Sequence, residues 1–155
     1  MFIKSKYTIY FYLILLLVVS LLFFTANYSL SISYKEALNL YYNSSILSII
    51  TNISTYFFGD NDLALRAPFV ILYCLSVILM FFITKDYFKY EKDRFISILI
   101  FMSLPGVLSA SLLVNTAIIV TFFTLLYIYF YQKYAKHLYY LLPFLLIIDN
   151  SFTIL

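Results

Sequence analysis

From Phe95 to Tyr131 the chain runs for 37 residues without a charged side chain. A membrane-spanning helix needs about 20 mostly apolar residues, so this run is too long for one helix and too apolar for water. Two more uncharged runs, 7–24 and 67–84, precede it. Of the 155 residues, 65% are hydrophobic and only 11% charged. A soluble domain carries about 25% charged residues, and at this size it leaves roughly a third of its chain surface wet. Those two facts together exclude a soluble enzyme. A net charge of +3 is too small for a nucleic-acid module. One cysteine, Cys74, and one histidine, His137, supply neither a disulfide framework nor the usual zinc ligand sets. The chain reads as an all-α, polytopic transmembrane helical bundle.

The first span is expected at 7–24, where thirteen Ile, Leu, Val or Phe residues contribute about −4 to −8 kcal/mol to insertion. Lys4 and Lys6 precede it as in a signal anchor that is retained. The second span is expected at 67–84, with Pro68 in its first helical turn, where a missing N–H is harmless. Pro105-Gly106 and Asn115 divide the long run into spans at 95–110 and 112–131. A fifth begins at 138, and the chain stops inside it with Asp149 in the apolar stretch. The expectation is therefore a single membrane domain, 1–155, that forms the front of a longer protein. Eight cations (Lys4, Lys6, Lys85, Lys89, Lys92, Arg94, Lys133 and Lys136) fall on one side of these spans, and Lys35 and Arg66 on the other. The positive-inside rule then puts the N-terminus in the cytoplasm. Loop 25–66 lies outside, periplasmic if the membrane is a bacterial inner membrane.

That loop is 42 residues long while the other connections are short, which marks it as functional. Ser33-Tyr34-Lys35-Glu36 has the spacing of a capping box, in which a Ser N-cap and a Glu three residues later satisfy each other's backbone. Further on, Ile46, Ile49, Ile50, Ile53 and Phe57 recur at helical spacing, with Ser48, Thr51, Asn52 and Thr55 opposite. Gly59 follows where a helix C-terminal glycine belongs. The loop thus holds interfacial helices, with the isoleucine face expected to pack on the bundle.

The long external loop with its early acid, the stretch FFGDNDLALRAPFV and the later LPGVLSASLLVN resemble the N-terminal part of GT-C membrane glycosyltransferases. The nearest groups are the aminoarabinose transferases and the dolichyl-phosphate-mannose protein mannosyltransferases, and the resemblance runs from about Ser31 to Tyr131. It implies transfer of a sugar from a polyprenyl-phosphate donor to an acceptor at the outer face of the membrane. On that resemblance Glu36 is the acid that acts as catalytic base toward the acceptor or helps bind a metal, with Lys35 beside it where relatives often have a second acid. Arg66, whose guanidinium suits phosphate, and Lys35 are the candidates for binding the donor phosphate. Asn115 stands in the site wall where relatives often carry an acid. The metal requirement stays open, with Asp60 and Asp62 as candidate ligands.

Each residue also has a plainer role. Glu36 closes a capping box, Arg66 snorkels to the interface, Asp60 and Asp62 close a Gly-Asp-Asn-Asp turn, and Asn115 caps a helix. The partners are the lipid bilayer and the lipid-linked donor, with no nucleic acid. The alternative is a non-catalytic small multi-spanning protein, either an accessory subunit or an inert gene fragment.

Overall fold

A computed structural model describes residues 6–28, 33–34, 36–37, 46–59 and 61–134. The described residues are helical, with no strand among them. In chain order the helices are α1 (Lys6–Tyr28), α2 (Ile46–Phe58), α3 (Asp62–Tyr87), α4 (Glu91–Ser103), α5 (Pro105–Leu112) and α6 (Ala117–Tyr134). Two of them, α1 and α3, are long and apolar enough to cross a membrane, and α4 with α5 makes a third if the bent pair counts as one span. The expected fifth span, with Asp149 and His137, lies outside the described residues, as do Lys4, Lys35, Asp60 and Lys136.

Helix α3 is the axis of the fold and packs against each of the other five. Phe69, Val70, Tyr73 and Val77 on it are fully buried. Helix α1 buries one stripe, Phe11, Leu15, Leu22 and Ala26, and turns Leu13, Leu16, Leu17, Leu21 and Phe24 outward. An outward leucine is costly in water but not in lipid, whose tails are as apolar as leucine itself. Phe11 stacks on Phe81 at 4.6 Å and ties α1 to α3.

Two prolines leave backbone carbonyls without helical partners, and each break is repaired by a hydroxyl from another helix. Helix α3 starts at Asp62, so Pro68 lies inside it rather than in its first turn. Having no N–H, Pro68 cannot reach the Ala64 carbonyl four residues back; the buried Ser54 hydroxyl on α2 donates to that carbonyl instead. The second break is at Leu104, which is extended and followed by Pro105 at the start of α5. It bends α4 against α5 by 51°. The Met102 carbonyl, cut off from its partner by that bend, accepts a 3.0 Å bond from the Tyr73 hydroxyl. An unsatisfied backbone group in an apolar surround costs dearly, so these hydroxyls are what let the helices break. Tyr73→Phe should destabilise the protein by about 1–3 kcal/mol, the cost of orphaning a buried acceptor. The check is the thermal midpoint in detergent, with Tyr10→Phe, on the exposed side of α1, expected to leave it unchanged.

The same repair explains why α2 is turned from the expected orientation. Its buried residues are Leu47, Thr51 and Ser54, whereas Ile49, Ile53 and Phe57 are 57%, 55% and 73% exposed. Of the expected apolar face, Ile46 and Ile50 pack against the core, while Ile49, Ile53 and Phe57 do not. Ser54 is needed at the Ala64 carbonyl, and Thr51 satisfies itself on the Leu47 carbonyl at 2.8 Å, so the small hydroxyl face fits against α3. Ile49, Ile53 and Phe57 are then free to meet lipid. Gly59 ends the helix as expected: its φ is +83°, and its N–H returns to the Thr55 carbonyl.

Candidate functional site

The capping box forms. The Ser33 N–H donates to Glu36 Oε2 at 2.8 Å, and the Glu36 N–H donates to Ser33 Oγ at 3.3 Å. This local turn aims the Glu36 carboxylate into the protein, where the residue is only 5% exposed. Two distant segments meet it there. Arg66, in the second turn of α3 and 1% exposed, places Nη2 3.4 Å from Oε2. The Val114 N–H, in the bend between α5 and α6, donates to Oε1 at 3.0 Å. One carboxylate thus joins the turn that starts at Ser33, the start of α3 and the α5–α6 bend.

Burial alone pushes the Glu36 carboxyl up, but the Ser33 and Val114 N–H groups, the Ser33 hydroxyl and the Arg66 charge outweigh it. The group is held below its ordinary 4.5. Its stabilising contribution is therefore complete above the unfolded value and is lost as pH falls through the lower folded one. The thermal midpoint should stay level with respect to this group between pH 8 and pH 5 and fall below about pH 4.3. A loss assigned to Glu36, by comparison with Glu36→Gln, that begins above pH 6 would contradict the geometry.

The remaining candidates are spread around this centre. The Asn115 Oδ1 accepts the Ala117 N–H at 3.0 Å, so its side chain caps α6 beside the site. Asp62 sits in the first turn of α3, where a negative charge suits the helix dipole. No group of three or more His, Cys, Asp or Glu side chains suited to a metal occurs among the described residues. The Val114 N–H was not legible in the sequence, because a backbone donor carries no residue signature.

The sequence pattern of the dolichyl-phosphate-mannose-protein mannosyltransferase family matches residues 44–148, which is more than half of the chain. The chain belongs to this family. It is thus a member of the GT-C-type membrane glycosyltransferases. Within the mannosyltransferase family match lie Arg66, Val114 and Asn115, while Ser33 and Glu36 precede it. No curated protein and no solved structure matches the chain.

Proposed function

We propose that the chain takes part in GT-C sugar transfer, with Glu36 on the acceptor side and Arg66 on the donor side of one cleft at the outer face of a bacterial inner membrane. In this reading a polyprenyl-phosphate carrier donates the sugar. The acceptor oxygen bonds to the anomeric carbon, the carbon–oxygen bond to phosphate breaks with its electron pair leaving on the phosphate, and the acceptor proton passes to Glu36. The configuration at the sugar inverts. The observation that carries the reading is the meeting of Glu36 and Arg66, thirty residues apart in sequence, at the start of an apolar helix long enough to span.

The chemistry is consistent with that placement. A carboxylate held below its ordinary pKa is ionised throughout the physiological range, and it has room for about four hydrogen bonds. Three fall on Glu36 from Ser33, Arg66 and Val114. A guanidinium is a five-donor fork suited to phosphate. An apolar groove of about 240 Å³ lies between α2 and α3, lined in part by Ile53, Phe57, Pro68 and Ile71. Its apolar lining would suit a prenyl chain. Lys35 is proposed to assist Arg66, and Asn115 to stand in the wall.

The depth of burial of both charges favours a second reading, in which the pair is a staple in a non-catalytic membrane protein. The purified chain incubated with a radiolabelled polyprenyl-phosphate sugar decides between them. Release of the sugar to an acceptor or to water, falling about 10²–10⁴-fold in Glu36→Asp, supports transfer. Absence of release by wild-type protein whose pair is intact supports the staple.

A further inference from the structure

Lys85 lies nineteen residues beyond Arg66 on α3, about 29 Å along the helix axis and thus close to the thickness of a bilayer's hydrocarbon core. At this far end, the last turns of α3 and α6 enclose a cleft of about 300 Å³ lined by Phe82, Lys85, Asp86, Tyr129, Gln132 and Lys133. Its floor is aromatic, with the Phe82 and Tyr129 rings 6.2 Å apart. Its rim is cationic, and the Lys133 ammonium rests 5.7 Å from the Tyr129 ring. Lysines at helix C-termini need no ligand to explain them, since they complement the dipole.

Gln132 does need explaining. Both its amide nitrogen and its amide oxygen are buried, and neither has a hydrogen-bond partner among the described residues. A buried polar group left without a partner is costly, and no neighbouring side chain in the cleft offsets that cost. A ligand that suits all six residues must bring an anion for two lysines, a donor for the Gln132 oxygen and Asp86, and an apolar part for the aromatic floor. The cleft's own charge, two lysines against one aspartate, calls for a single net negative charge.

We propose that this cleft is a binding site for an anionic glycerophospholipid whose headgroup carries hydroxyl donors. The phosphate lies between Lys85 and Lys133, a turn of the Gln132 side chain brings its amide onto the phosphate and a headgroup hydroxyl, and a second hydroxyl reaches Asp86. The acyl chains run along Phe82 and Tyr129. Basic clefts beside a spanning helix suit lipid headgroups in this way. The site sits at the opposite end of α3 from Glu36 and Arg66 and does not depend on the transfer chemistry.

Native mass spectrometry of the full chain in detergent tests it, with phosphatidylglycerol, phosphatidylcholine and inorganic phosphate as probes. One phosphatidylglycerol should be retained in clear preference to phosphatidylcholine, which has no headgroup donor and no net charge. K85Q/K133Q should weaken that retention roughly thirtyfold, about fivefold for each lysine removed. Gln132→Leu, which removes an orphaned amide and should raise the thermal midpoint, should nevertheless lower the preference for phosphatidylglycerol. A purely packing role for Gln132 would leave that preference unmoved. Equal retention of the two lipids, selectivity that survives K85Q/K133Q, or displacement of the lipid by millimolar inorganic phosphate would each overturn the proposal. The comparison of the two lipids on wild-type protein decides even where a variant fails to fold.

Discussion

Glu36→Gln should lower the stability of the protein by about 3–5 kcal/mol, the usual cost of removing one partner from a buried ion pair, and abolish transfer as well. The swap is nearly isosteric, but an amide offers one acceptor oxygen where the carboxylate offers two. Three donors converge on Glu36, from Ser33, Arg66 and Val114, so at least one of them must face an NH₂ group. Arg66, at 1% exposure, also loses its counter-charge. Loss of activity in this variant alone therefore cannot separate a base from a staple. Arg66→Met should cost a similar amount, and the double variant should cost less than the sum by about 0.5–3 kcal/mol, because the two residues are directly coupled. Thermal midpoints and mass spectrometry of the modified acceptor across the four proteins complete the test. Stability regained in the double variant without transfer shows that the pair serves the chemistry and not the fold alone. Stability and transfer regained together reject Glu36 as the base.

The parts of the molecule that follow from local rules were legible in advance. Uncharged runs gave α1 and most of α3, Ser33 and Glu36 gave the capping box, and Gly59 gave the end of α2, whereas the span expected at 95–110 is broken at Leu104. Arg66 and Glu36 were each singled out, but only the fold brings them to one point, and the third donor there is the Val114 backbone. The orientation of α2 was not legible, because the rule for helices in water does not carry over to a bilayer. Apolar residues at helical spacing mark the inner face of a helix in water, whereas in lipid either face can be the greasy one. Proline then decided the matter. Pro68 lies inside α3 rather than at its start, and the carbonyl it strands at Ala64 needs a hydroxyl, which α2 supplies from Ser54.

The burial of Thr51 and Ser54 gives the second large effect. Thr51 is 1% exposed, and Ser54 one turn on is 6% exposed; both face α3. Thr51→Lys would press an ammonium and four methylenes into this contact, where an unpaired charge costs on the order of several kcal/mol. Helix α2 would have to lift, and lifting it removes Ser54 from the Ala64 carbonyl, so the proline-broken turn of α3 beside Arg66 loses its repair at the same time. Ile53→Lys puts the same ammonium on the outer face, where a long side chain can carry its charge toward the headgroups, and should cost far less than Thr51→Lys. Thr51→Val, which keeps the shape and forfeits one hydroxyl bond within the helix, should fall within about 1.5 kcal/mol of wild type. The yield of folded protein after detergent extraction, with its thermal midpoint, ranks the three. Thr51→Lys should be the outlier by a wide margin, and equal damage from Thr51→Lys and Ile53→Lys would mean that α2 buries Ile53 after all.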